Sequence, residues 1–388
     1  MKIGLVSPYD YSHPGGVTEH IRHLGEGLRK LGHEVRTFAP SHRKDIEADT
    51  PDFYRIGRVF SVPVNASVAR ITLSFHLANR VSEILSQERF DVLHFHEPLM
   101  PALPLTLLRM SPTVNVGTFH AFAKSNIGYY YGRFLLKPYL NRLDGRIAVS
   151  EPARDFVGQY FDAGMRVIPN GIDTDIFRPA GEPLRRLRDG NVNVLFVGRL
   201  EKRKGLRYLL RAFEYMQDRV PESRLVVIGD GPLRSSVENF VAGRGLRNVL
   251  ITGYVPPAEL PGYYSSADIF CAPATGGESF GIVLLEAMAS GLPVVTTEIP
   301  GYLTVVDPGQ NALTVRPKSW QELGAMLVVL ARDADLRARM GASGLAKAQR
   351  YSWREVTARV IEVYEQSRAQ ASAHSERRRV HDPIPGLD

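Results

Sequence analysis

Cysteine is almost absent from this chain. Cys271 is the one example in 388 residues, which excludes an intrachain disulfide and a cysteine-built zinc site. That suits a reducing compartment without establishing one. Long apolar runs are missing too. A membrane-crossing helix needs about 18 or more apolar residues in a row. The greasiest segment, residues 99–108, is interrupted by Pro101 and Pro104. The chain opens directly on the strand-like run Ile3-Gly4-Leu5-Val6, and no signal peptide is expected. There is also no block of one charge sign. The net charge is +7, and residues 1–170 hold 20 basic against 16 acidic side chains. A dispersed excess of this kind, with no recognisable reading element, disfavours nucleic acid. The dinucleotide fingerprint G-x-G-x-x-G is not found after the first strand, which argues against a nicotinamide enzyme.

What is present reads as two similar halves. Hydrophobic content of 44% and charged content of 23% fit a soluble globular chain, and 388 residues suffice for two cores. In the first half, strands are expected at residues 2–8, 33–40, 91–96, 114–120 and 145–150. A helix between 18 and 31 puts Ile21, Leu24, Leu28 and Leu31 on one face before Gly32 stops it. Residues 41–58 read as a long polar loop. The second half restarts with strands at 192–197, 224–228, 249–252, 268–272 and 293–297. Repeated β–α–β units imply α/β architecture with parallel sheets covered on both faces. Two such halves imply two Rossmann-like domains facing each other across a cleft, where ligands gather at the carboxyl ends of the strands. The turn-rich Ile168-Pro169-Asn170-Gly171 marks the hinge, dividing the domains 1–169 and 170–350. Ser352-Trp353-Arg354-Glu355 is a capping-box pattern. It opens a helix over 351–371 with Val356, Val360, Val363 and Tyr364 on one side. Residues 372–388 are expected to be a disordered tail.

Three motifs carry chemistry. Gly276-Gly277-Glu278-Ser279-Phe280-Gly281-Ile282-Val283-Leu284-Leu285-Glu286 sets two carboxylates eight positions apart. Ser279 reads as the cap of a buried helix, with Glu278 in the loop before it and Glu286 about two turns inside. Free N–H groups and the positive dipole end make such a start an anion site. A phosphate there, with a carboxylate on either side to accept hydroxyl hydrogen bonds, suits a sugar nucleotide. Gly198-Arg199-Leu200-Glu201-Lys202-Arg203-Lys204-Gly205 places Arg199 and Lys204 in a loop leading into a helix, a site for a leaving diphosphate. Lys202 and Arg203 read as exposed loop cations. Pro14-Gly15-Gly16-Val17 follows the first strand, where glycine lets the backbone approach a ligand.

These motifs, with His120 at a strand end, resemble in order and spacing the retaining GT-B glycosyltransferases, and the resemblance covers the chain to about residue 371. It implies a nucleotide-sugar donor held by Gly15, Gly16, Arg199, Lys204, Glu278, Phe280, Gly281, Ile282 and Glu286. His120, Arg199, Lys204 and Glu278 would be the catalytic set, with no cofactor and no metal required. A metal trio of His94, His96 and His120 is the lesser reading. The final helix would cross back to the first domain. Local strings such as His94-Phe95-His96-Glu97-Pro98 and Asn65-Ala66-Ser67-Val68-Ala69-Arg70 look like bacterial phosphatidylinositol α-mannosyltransferases. That implies GDP-mannose as donor and an anionic lipid acceptor held by Tyr9, Asn65, Arg70 and Lys124. It also implies a cytoplasmic protein, peripheral on the inner face of the plasma membrane. One departure is clear: residues 74–88 lack a dense basic cluster, having Arg80 alone against Glu83 and Glu88. Tyr129-Tyr130-Tyr131, Phe134, Leu135 and Leu136 beside Arg133 and Lys137 offer a different membrane-facing composition, or a partly buried helix. A UDP-sugar donor with another acceptor, and a nucleotide-sugar epimerase, stay open as alternatives.

Overall fold

The computed structural model describes all residues except 13–14, 43–48, 51, 65–66, 73–76, 122–126, 180 and 382–388; for 49–50, 61–64, 67–72 and 374–381 it describes the backbone alone. The chain forms two compact units. The first is residues 1–169 together with the segment from Trp353 onward, and the second is Asn170–Ser352.

In the first unit, β1 (Lys2–Val6), β2 (Glu34–Ala39), β3 (Asp49–Thr50) and β4 (Phe53–Arg55) precede a separate hairpin of β5 (Val59–Val64) and β6 (Ser67–Thr72). Then follow β7 (Val92–His96), β8 (Val114–Phe119), β9 (Gly145–Ala148) and β10 (Arg166–Val167). The sheet order is β10-β9-β8-β7-β1-β2-β4-β3. All neighbours pair in parallel except the two-residue β3, which runs antiparallel to β4. The strands β3, β4 and part of β5 fall in or beside the stretch expected to be loop. The two-residue β3 and the three-residue β4 are too short to show a period of two, and β5 forms a hairpin with the strand that follows it.

The second unit holds β11 (Val192–Val197), β12 (Ser223–Ile228), β13 (Val249–Gly253), β14 (Ile269–Ala272), β15 (Val294–Thr297) and β16 (Ala312–Val315). Their order is β13-β12-β11-β14-β15-β16, parallel throughout. Each sheet reverses direction beside its first strand, at β1/β7 and at β11/β14. Strand ends diverge at such switch points and leave a crevice for ligands.

The apolar patterning explains the layers. Ile21, Leu24 and Leu28 of the helix Gly16–Lys30 are fully buried, whereas Leu31 caps that helix and faces solvent. The last helix starts at Trp353, directly after Ser352, and packs on β8, β9 and the helix Gly16–Lys30. Val356, Val360, Val363 and Tyr364 join Ile3, Leu5, Ile21 and Val116 in one core cluster. Gly145 is where the sheet meets this helix: a Cβ there would come within 2.9 Å of Val363. The helix runs to His381, past residue 371. The polar composition there suggested disorder, but Ala, Gln, Arg and Glu are good helix formers and continue a helix already nucleated by packing. Residues 382–388 of the expected tail lie outside the described residues.

Candidate active site

Two clusters sit at the switch points, one on each unit, and they differ in kind. In the first unit the ends of β7 and β8 and the first turns of the helix Gly16–Lys30 bring imidazoles together. His120 follows β8 directly and is buried. Its Nε2 lies 3.0 Å from Nδ1 of His96. The His20 ring stacks edge-on to His120, with centroids 4.8 Å apart. Burial, reinforced by the neighbouring imidazoles, pushes the His96 and His120 pKa values well below the ordinary histidine value. Both rings are therefore neutral near pH 7, and one of the two nitrogens in their contact donates while the other accepts.

His94 does not join them as a ligand. Its Nδ1 bonds the Tyr364 hydroxyl and its Nε2 bonds the Thr118 hydroxyl, each at 2.7 Å. The trio of His94, His96 and His120 is thus not a free ligand set. Ring nitrogens of His20, His96 and His120 are the ones that converge, within 4.8 Å of one another.

Glu97 holds the backbone of this cluster. It accepts hydrogen bonds from the N–H groups of His120 at 2.6 Å and Ala121 at 2.7 Å. Its own φ is +53°, a conformation that non-glycine residues adopt rarely. Burial raises its pKa to about 7. Tyr9, half-buried after β1, has its hydroxyl pKa raised by burial and then by the Glu97 charge. Glu97 stands next to His94 and His96 in the sequence, but nothing in one dimension aims it at the His120 backbone.

Gly15 and Gly16 start the helix Gly16–Lys30. Gly15 is extended, with φ −165°, so its conformation does not require glycine. Among the described residues no heavy atom lies within 4 Å of where a Gly16 Cβ would be. Neither local conformation nor internal packing therefore calls for glycine at position 16. Asn65 and Lys124 lie outside the described residues. Arg70 is on β6, paired in register with Ser61 of β5; its side chain is not described.

The second unit is ionic. The loop after β11 turns through Gly205, φ +74°, which packs so closely on Pro273 that a Cβ would clash with that backbone. This ties the cation loop to the chain after β14. The Thr275 N–H completes the tie by donating to the Arg203 carbonyl at 2.7 Å. Lys204 Nζ then reaches Glu278 Oε1 at 2.8 Å, and Arg203 Nη1 reaches the same oxygen at 2.5 Å. Arg203 also bonds Glu201 at 3.2 Å, and Arg199 bonds the other Glu201 oxygen at 3.0 Å while staying half-exposed. Three cations face two carboxylates, leaving one net positive charge before any anion arrives. Arg203 is therefore part of the cluster rather than an idle loop cation. Three neighbouring cations in one loop look alike until their directions are known.

The helix after Glu278 begins later than its sequence suggests. It spans Ile282–Ala289, with Gly281 as its cap residue at φ +108°. A Cβ at Gly281 would lie 2.7 Å from the Tyr302 ring, so both conformation and packing demand glycine. Glu286 is consequently just over one turn in, not two. Its carboxylate accepts from the Tyr264 hydroxyl at 2.6 Å. Burial raises its pKa to about 7, opposed by that hydrogen bond and by the Lys204 charge. The Phe280 side chain is buried in the core and packs near Tyr351. Only its backbone, with those of Gly281 and Ile282, is left to meet a ligand. The first turn of any helix leaves N–H groups outside its own ladder.

Each parallel-sheet unit thus carries a polar cluster at its switch point, where open α/β sheets bind ligands. Comparison with known proteins bears directly on this. Residues 14–176 match the family model Glycosyltransferase Family 4, and residues 185–347 match Glycosyl transferases group 1. The phosphatidyl-myo-inositol mannosyltransferase of Mycobacterium tuberculosis is 36% identical over 375 residues, covering 94% of this chain and 97% of that protein. The protein of the same name from Propionibacterium freudenreichii is 35% identical over 374 residues, covering 94% of each. Among solved structures, sucrose-phosphate synthase from Thermosynechococcus elongatus superposes with a TM-score of 0.75 at 22% identity, over 95% of this chain and 99% of that one. Anabaena HepE in complex with UDP also gives 0.75, at 20% identity, over 94% and 100%. The chain belongs to the GT-B glycosyltransferases. It is a sugar-transferring enzyme, and glycosyltransferases of this kind use a nucleotide-sugar donor.

Proposed function

We propose that this enzyme transfers mannose from GDP-mannose, with retention of configuration, to a phosphatidylinositol-like lipid. The observation that carries the donor site is the convergence of Lys204 and Arg203 on Glu278, beside the half-exposed Arg199. The choice of mannose and of an inositol lipid rests on the names of the relatives at 35–36% identity over nearly the whole chain.

In this reading the diphosphate takes Arg199 and Lys204, drawing Lys204 away from Glu278. Glu278, still held by Arg203, then accepts a hydroxyl of the sugar in place of Lys204. Glu286 accepts the ribose hydroxyls through the oxygen that Tyr264 leaves open. The backbone of residues 280–282 offers N–H groups to the phosphates. Neutral His120, held by Glu97 and paired with His96, hydrogen-bonds a sugar hydroxyl without carrying charge. Gly15 and Gly16 are assigned to the donor as well. Tyr9, Asn65, Arg70 and Lys124 are assigned to the acceptor head group.

The acceptor oxygen bonds to the anomeric carbon as the bond from that carbon to the β-phosphate oxygen breaks. The acceptor proton passes to the leaving phosphate oxygen. Arg199 and Lys204 stabilise the charge growing there, the kind of contribution that dominates many enzyme rate accelerations.

A UDP-sugar donor is the second reading, favoured by the UDP bound in the HepE structure. Calorimetry with GDP and UDP, then GDP-mannose and UDP-glucose, tests both. Tighter binding of GDP and GDP-mannose, followed by mannose incorporation into phosphatidylinositol, is the expected result. Preference for UDP would overturn the donor assignment.

A further inference from the structure

We propose that the outward side of the helix Ile127–Leu140 is a docking surface for a lipid bilayer with anionic head groups. The inference extends the lipid-acceptor reading above and rests on it.

The helix is apolar on both sides. Its inner side is accounted for, since Tyr129 and Leu140 are buried in the first unit's core and Leu136 and Tyr139 pack against it. Its outer side is not. Ile127, Tyr130, Tyr131, Phe134 and Leu135 are 56–77% exposed. These positions follow i, i+3, i+4, i+7, i+8, which is one continuous helical stripe. Among the described residues, five of the eleven exposed large apolar side chains lie on this single helix. Scattered exposed apolar groups are ordinary, but a contiguous stripe marks a binding surface.

Charge and composition identify the occupant. The sequence Ile127–Leu140 contains Arg133 and Lys137 and no acidic residue. The Arg133 guanidinium lies over both the Tyr130 ring, at 5.6 Å, and the Phe134 ring, at 4.8 Å. Its charge is thereby held at the border of the apolar stripe, the depth at which phosphate head groups sit above acyl chains. Fourteen residues make a helix of about 21 Å, too short to cross a bilayer and suited to lying in its interface. The projecting ridge of tyrosine, phenylalanine and leucine matches the same environment.

The other surface helix near β6 cannot serve instead. Ala78–Glu88 carries Arg80, already paired with Glu83 at 2.7 Å, and Glu88, paired with Lys2. It offers no net positive charge to an anionic surface. Attachment through Ile127–Leu140 is thus expected to depend mainly on apolar insertion, and only weakly on salt.

The test uses the full chain and vesicles of phosphatidylcholine and phosphatidylglycerol, free of inositol lipid and of donor. Flotation is expected to show binding that largely survives 0.5 M NaCl. The variant Tyr131→Ser/Phe134→Ser/Leu135→Ser is expected to lose roughly tenfold or more of that binding. It should keep its melting temperature and GDP affinity, since all three side chains are exposed. Phe134→Trp should shift its emission to the blue on adding vesicles. Wild-type binding by the triple variant would overturn the proposal. So would an unshifted Phe134→Trp spectrum, absence of wild-type binding, or dimerisation that the triple variant abolishes without vesicle binding. Transfer to a detergent-dispersed inositol lipid separates the two readings: if it persists while vesicle binding fails, the docking surface alone is wrong.

Discussion

The two clusters differ in chemistry, as the two recognition tasks proposed for them require. The one in the first unit is made of neutral, fully buried imidazoles and a buried glutamic acid, held by hydrogen bonds 2.6–3.0 Å long. The one in the second unit is made of charges in partial contact with water, cross-linked through Glu278. Buried neutral groups recognise hydroxyls by geometry at little electrostatic cost. Diphosphate needs net positive charge, and that charge tolerates burial only when already paired. The first cluster is thus organised by hydrogen bonds among buried groups, the second by ion pairs at the edge of solvent.

Acid should separate them most. The folded pKa values of His94, His96 and His120 are depressed, so the unfolded chain binds protons first as pH falls. Stability supplied by the neutral rings is present above the unfolded value near 6.5 and is lost below it. Three such groups would cost up to about 4 kcal/mol per pH unit. Hydrogen exchange between pH 7 and 5.5 should show β7 and β8 losing protection before β11 and β14. Equal loss in both units would break the comparison.

Next in size is the effect of removing a phosphate partner. Lys204→Ala and Arg199→Ala are each expected to lower kcat by roughly 10²–10³-fold, the usual cost of one donor aimed at developing charge. Steady-state kinetics with saturating donor would read this. An unchanged kcat for either variant removes that residue from the proposed leaving-group site.

His120→Ala should be milder. A neutral hydrogen bond contributes about 1 kcal/mol, hence a loss of about fivefold in kcat/KM. A loss as large as that of Lys204→Ala would mean that His120 carries charge in the transition state, against the depressed pKa.

The last effect is one of pH dependence and concerns Glu286. With a pKa near 7, its ionised form, the better hydroxyl acceptor, grows as pH rises through 7. KM for the donor should therefore fall by up to about tenfold between pH 6 and 8, and Glu286→Gln should flatten that dependence. The stability sign is opposite to that of the histidines: a raised carboxyl pKa favours the folded state below about 4.5 and loses that advantage as pH rises through 7.

Much of this was legible in one dimension. The alternation of apolar runs located the main strands of both sheets within a residue or two, because period and turn residues are local properties. The Gly–Glu string and the cation loop were legible because the chemistry proposed for them demands those residue types at fixed short spacings. The strands β3, β4 and β10 were not, since two or three residues are too few to show a period; nor were the hairpin β5–β6, whose first strand is interrupted by Pro63, and the edge strand β16.

Sequence by itself determined which residue types are on offer to the proposed phosphate and hydroxyl ligands, and the two-sheet plan that presents them. Tertiary structure alone decided which of the neighbouring cations points at Glu278, that Glu97 ties down the His120 backbone, that Tyr264 occupies half of Glu286, and that the helix cap is Gly281 rather than Ser279. Each of these depends on a side-chain direction or on a contact that only the packed fold settles. Arg203 and Glu278 are 75 positions apart, and their contact exists because Gly205 lets one loop close onto the next.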